Sequence, residues 1–120
     1  GATLALPRPD NGMKFFPFRS KRAAETKRQV IDFAGLLEQD DQLASSPTAA
    51  EKTTGHLTIS SVESVTPEAL DADATTAGTR RTLVTMLIAG GNAGADYAVD
   101  ITAETEEGQT LIRRFTFRVN

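Results

Sequence analysis

The run RRTLVTMLIAGGNAGADYAVDITAETEEGQTLIRRFTFRV, Arg80 to Val119, decides the fold of this 120-residue chain. From Asp96 onward apolar and polar residues alternate: Tyr97, Val99, Ile101 and Ala103 share one parity, and Asp96, Ala98, Asp100, Thr102 and Glu104 the other. Period two with β-branched and aromatic residues marks a half-buried strand. The alternation resumes beyond Glu106-Glu107-Gly108-Gln109, with Phe115, Phe117 and Val119 apolar and Arg114, Thr116 and Arg118 polar. Opposed residues of an antiparallel pair point to one face, so the two odd-numbered apolar sets require paired numbers with an even sum. Val99 with Phe117 and Ile101 with Phe115 satisfy this, leave an odd-length loop containing Gly108, and put Asp100 and Glu104 near Arg114 and Arg118 on the outer face.

Thr82 to Ile88 forms the preceding strand, with Val84, Met86 and Ile88 facing the core. Leu83 and Leu87 make its second face apolar, which suits either a strand covered on both sides or a contact surface. Between these strands Ala89-Gly90-Gly91-Asn92-Ala93-Gly94 forms a tight elbow ahead of Tyr97. A glycine-rich loop can cradle phosphate when a helix follows it, but a period-two strand follows here. Tyr97 is expected to bury its ring and bond its hydroxyl to the backbone, as in a tyrosine corner.

The elbow residues Gly90, Gly91, Ala93, Gly94 and Tyr97, followed by an alternating strand and a closing Arg-Phe-Thr-Phe strand, resemble a family of small immunoglobulin-like, fibre-type virion-associated proteins of tailed bacteriophages and prophages. Val30-Ile31-Asp32-Phe33 and Asp40-Asp41-Gln42-Leu43-Ala44-Ser45-Ser46 match an upstream part of that pattern, so the resemblance spans roughly residues 28 to 119. The chain departs from it in lacking tryptophan and in its basic approach to the first strand. The resemblance implies a structural protein of the virion, made in the bacterial host cytoplasm.

A chain of 12.8 kDa suits one domain. The expected architecture is an all-β, immunoglobulin-like antiparallel sandwich of about seven strands over residues 29–120, behind a basic N-terminal extension over 1–28. Residues 1–12 read as a flexible tail, and Met13 is a candidate start. The absence of cysteine excludes disulfides and thiolate chemistry. No apolar run approaches the roughly 20 residues of a membrane span. Ala23 to Ile31 could form a short helix, whereas the resemblance favours a strand over Val30 to Leu37. Glu38 to Thr54 reads as loop, His56 to Val65 as a short strand with Leu57 and Ile59 facing the core, and Thr66 to Thr79 as an exposed connection.

Charge is unevenly distributed. Residues 1–30 hold seven Lys or Arg against two acids, a local +5, and residues 31–107 hold three against fourteen, a local −11. Such a split suggests complementary contact with a partner or between identical subunits. The interface candidates are Arg19, Lys21, Arg22, Lys27 and Arg28, with Leu83 and Leu87. Without interleaved aromatics or a binding motif, the basic run reads as solvated charge rather than a nucleic-acid site. Asp40-Asp41, Asp71-Ala72-Asp73 and Glu106-Glu107 lack the ligand run of a calcium loop and read as turn residues. His56 stands alone, with no nucleophile and base around it. No catalytic, cofactor or metal residue is assigned, and neither a small molecule nor a membrane is expected as partner. The leading function is a non-enzymatic assembly, joining or decoration module that contacts other virion proteins or itself. The alternative is a carbohydrate or host-surface binding sandwich.

Overall fold

Alternating segments of this length are stable only when they pair and cover one another's apolar faces. The structure, a computed structural model, describes residues 17–52, 55–70 and 80–120. In chain order its strands are β1 (Ser20–Lys21), β2 (Lys27–Asp32), β3 (Thr48–Glu51), β4 (Leu57–Val65), β5 (Leu83–Gly90), β6 (Asp96–Glu104) and β7 (Thr110–Val119). A 3-10 turn at Ala34–Leu36 and one helical turn, α1 (Pro67–Leu70), complete the assigned elements. The tail expected over 1–12, Met13 and the Asp71–Asp73 cluster lie outside the described residues.

One sheet has the order β1-β7-β6-β3 and the other β2-β5-β4. Strands two, five and four thus face strands three, six and seven, the immunoglobulin-type arrangement, with the first strand added beside the last. The β1 pairing with β7 is parallel, and the other ladders are antiparallel. The core joins both layers: Ile31, Val84, Met86 and Ile88 from one, and Tyr97, Val99, Ile101, Phe115, Phe117 and Val119 from the other, with Phe33 and Leu43 contributed by loops. Val84, Met86, Ile88, Tyr97, Val99, Ile101, Phe115 and Phe117, expected in the core from alternation in β5, β6 and β7, are all buried.

The hairpin keeps the expected parity but not the expected offset. Tyr97 opposes Phe117 and Val99 opposes Phe115, two residues away from the pairing expected. Parity limits the sum of paired numbers to even values; loop closure chooses among them. Here Thr105 donates its N–H to Gln109 and Gly108 donates to Thr105, closing a five-residue connection across Thr105–Gln109 with Gly108 at φ 95°. Asp100 therefore pairs with Arg114 as expected, at 2.6 Å, but Arg118 meets Asp96 at 3.3 Å and Glu104 faces Thr110.

Other boundaries also shift. The first long strand is Lys27–Asp32 rather than Val30–Leu37, and the residues beyond it turn into the 3-10 segment. The helix considered over 23–31 does not form, because Lys27–Asp32 pairs with β5, and the loop expected over 38–54 is interrupted where Thr48–Glu51 pairs with β6. The boundary placed after residue 28 falls inside β2, and β1 lies wholly before it. In β4, Leu57 and Ile59 pack on the core as expected, then a bulge between Ser60 and Glu63, with Ser61 at φ 54°, resets parity so that Val62 also reaches it.

Candidate functional site

The elbow is built around positive φ. Gly90, Gly91 and Gly94 have φ of 85°, 96° and 89°. A Cβ at Gly90 would lie 2.7 Å from the His56 carbonyl oxygen, so this glycine permits close approach of two backbones as well as the turn. Tyr97 is 1% exposed, and its hydroxyl accepts the Asn92 N–H at 2.7 Å. This is the expected tyrosine corner, with His56 Nδ1 at 3.3 Å from the same oxygen. His56 is exposed at the strand end, beside Asn92. Removing the hydroxyl in Tyr97→Phe leaves the Asn92 N–H without this acceptor and is expected to cost about 0.5–1.5 kcal/mol. A lowered urea midpoint at unchanged slope checks it.

The basic run does not form one surface. Arg19, Arg22 and Arg28 are exposed, but Lys21 is 2% exposed, and its ammonium donates to the carbonyls of Arg22 and Glu25 at 2.8 Å each. Burial lowers the Lys21 pKa, and nearby Glu25 opposes that shift. Lys27 donates to the Ser20 carbonyl and lies 5.1 Å from the centre of the Phe18 ring. These two lysines close the β1–β2 connection and are spent on the fold. Leu83 is buried and Leu87 half-buried, so of the two readings for this strand face, Leu83 follows the covered one.

At the opposite end of the sandwich the loops around Asp41 and Glu107 meet. Arg80 donates to the Asp41 carbonyl at 2.7 Å, Arg81 Nε donates to the Leu43 carbonyl at 2.7 Å, and Arg81 also pairs with Glu106. Asp41 is 2% exposed, and its Oδ1 accepts the N–H groups of Gln42 and Glu107. Burial pushes the Asp41 pKa up. Hydrogen bonds from the Thr105 hydroxyl and those two N–H groups, with Arg80 nearby, outweigh that effect and hold it below the usual carboxylate range. A depressed folded pKa means that ionised Asp41 stabilises above the ordinary carboxylate pKa, and that this contribution is lost as pH falls through the folded value. Asp41→Asn is therefore expected to flatten the acid limb of a stability-versus-pH curve below about pH 4, measured by urea denaturation. Among the described residues no group of three or more His, Cys, Asp or Glu is placed to hold a metal ion. The acids here tie loops together.

A third region was not anticipated. Phe18 packs edge-on against Phe117, with ring centroids 5.2 Å apart, and its N–H donates to Gln29 Oε1. Phe117 in turn stacks on Tyr97 and Phe115. Where β1 begins beside β7, Pro17, Phe18 and Arg19 face Phe115, Thr116 and Phe117 across an open groove of about 680 Å³. Strand β7 runs over ten residues, but β1 covers only Arg118 and Val119. Ile112, further along β7 where no described strand pairs on that side, is 61% exposed, and Arg113 beside it is exposed. Among the described residues Phe33, Tyr97, Phe115 and Phe117 are buried and Phe18 is half-buried.

A family model described as "Podophage GP4 fiber-tail adaptor protein gp77" matches residues 21–118, which include almost the whole of both sheets. No curated protein matches the chain.

Proposed function

Because the chain belongs to the podophage GP4 fiber-tail adaptor protein gp77 family, we propose that it is a non-enzymatic virion component that joins the fibre to the tail. Membership identifies a phage structural protein. The finer role, a fibre-type immunoglobulin-like joining module rather than a decoration, is our reading. The observation that carries it is that the match runs from β1 through β7, so the sandwich itself is the family's shared part. The geometry suits such work: among the described residues Lys21, Lys27, Asp41, Arg80 and Arg81 are committed to internal ties, whereas sheet faces remain for protein contact.

Deleting the gene from the phage and analysing purified particles by mass spectrometry and electron microscopy tests this. Tailed particles without fibres, restored when the protein is supplied in trans and recovered in the particles, are the expected result. Fully fibred particles lacking this protein would overturn it.

A further inference from the structure

The described charges separate by end. At the elbow end, where β1, β3, β5 and β7 finish, Arg22, Arg28 and Lys52 are exposed. The acids of that end are engaged locally: Glu25 accepts the Arg22 N–H, Glu51 accepts those of Gly55 and Leu57, and Asp96 pairs with Arg118. At the far end, where β5 and β7 begin, Asp32, Glu38, Asp40, Glu104, Glu106 and Glu107 are exposed. Arg80 there is turned onto a backbone carbonyl, and Arg81 pairs with Glu106. Among the described residues neither Arg22 and Arg28 at one end nor Glu38 and Asp40 at the other form an ion pair.

Each end also presents an apolar tip on a loop held in shape. The turn from Arg22 to Glu25 is closed by the Glu25 N–H on the Arg22 carbonyl at 3.0 Å, and the buried Lys21 ammonium donates to the carbonyls of both residues from beneath. Burying an ammonium is costly, and here it fixes a turn whose tip, Ala23 and Ala24, is exposed. At the far end the 3-10 turn Ala34–Leu36 carries Leu36, 42% exposed, just ahead of Glu38 and Asp40. Asp32 Oδ1 accepts the Ala34 N–H at 2.8 Å on one side of that turn, and Arg80 holds the Asp41 carbonyl on the other. Loops ordered in advance lose less entropy when they bind.

We infer that copies of this chain associate head to tail: the Arg22–Glu25 turn of one copy seats Ala23 and Ala24 against Leu36 of the next, while Arg22 and Arg28 meet Glu38 and Asp40. The inference goes beyond the joining role proposed above and does not depend on it. The chain itself selects the occupant, because each end offers a small apolar centre with charges around it, the layout of a protein interface, and the two ends are opposite in sign. Like end against like end would instead oppose like charges. The two patches lie at different ends of one molecule, so a docked pair still has one of each unfilled and association continues past the dimer. Two alanines against one leucine is little apolar area. The contact therefore leans on charge, which speeds and orients association and is screened by salt.

The chain has no cysteine, so Ala24→Cys in one batch of full chain and Leu36→Cys in another each introduce a sole thiol. Mixed at low salt under mild oxidation, the two variants are expected to give the mixed disulfide dimer in about tenfold excess over either homodimer, an excess lost near 1 M salt, where screening acts within about 3 Å. Sedimentation of the wild-type chain at low salt should show species larger than a dimer. Arg22→Glu with Arg28→Glu, and separately Glu38→Arg with Asp40→Arg, should each leave monomer with an unchanged far-ultraviolet spectrum. All four substitutions in one chain restore complementary ends and should restore association, which a mere folding defect would not. If that chain does not fold, the thiol pair decides. Homodimers as abundant as the mixed dimer, association that stops at the dimer, or a folded four-substitution chain that stays monomeric overturns the proposal. A wild-type chain that is monomeric at every salt concentration, while its charge-reversed variants fail to enter particles, assigns these ends to another virion protein and overturns it too.

Discussion

Phe117→Ala is expected to lower stability by about 3–5 kcal/mol, the range for removing a large buried aromatic side chain. The ring is the meeting point of three others: Phe18 edge-on at 5.2 Å, Tyr97 stacked at 5.9 Å and Phe115 stacked at 6.0 Å. Truncation opens a void between β6 and β7 and also removes the surface against which Phe18 holds the approach to β1. Domains of this size are stable by only about 5–15 kcal/mol, so a large share would be gone. Urea denaturation followed at far-ultraviolet wavelengths measures it. A loss under about 1 kcal/mol would mean that the site collapses to fill the space, against the packing described.

The second large effect is at the elbow, where Gly90→Ala is expected to cost about 2–4 kcal/mol, combining a left-handed conformation costing roughly 1–2 kcal/mol with a backbone clash. The new methyl would meet the His56 carbonyl at 2.7 Å, and that oxygen already accepts the Gly91 N–H. Backbone cannot swing aside as the end of a flexible side chain can. Gly94→Ala is the internal comparison: its φ of 89° carries the conformational cost, but nothing lies within 4 Å of the added carbon. The difference between the two midpoints isolates the clash, and equal midpoints would show that His56 yields.

Much of this architecture is legible in the residues because alternation is a local property. Tyr97, Val99, Ile101, Phe115 and Phe117 announce their shared face without any knowledge of the partner strand. Their offset is not legible, since every even sum keeps the phenylalanines inside, and the choice falls to Thr105, Gly108 and Gln109 closing the connection. Strand β3 is hidden for a different reason: Thr-Ala-Ala-Glu has no apolar alternation, and its place comes from β6 beside it. Leu43 is a lone apolar residue in polar surroundings, with no period to betray that it is fully buried, whereas Phe33 continues the parity of Ile31.

The candidate surfaces divide along the same line. Gly90, Gly91, Gly94 and Tyr97 form a local motif, in which the three glycines take positive φ and the Tyr97 hydroxyl accepts the Asn92 N–H. Lys21 looks from the sequence like one more member of a charge run, but the carbonyls of Arg22 and Glu25 draw its ammonium inward. That β1 pairs with the last two residues of β7 cannot be read from β7 at all, since Ser20 and Lys21 carry no alternation of their own.

The parallel contact between β1 and β7 also bears on how the molecule carries load. Parallel neighbours send the preceding segment of one strand and the following segment of the other out of opposite ends of the pair. Tension applied to Arg19 and Asn120 in opposite directions therefore slides the strands past each other, and the bonds from Arg118 to Arg19 and from Asn120 to Lys21 are strained together. The same tension across an antiparallel hairpin end would peel bonds one at a time. A small contact thus becomes a shear clamp, placed where a pull along the chain is first felt.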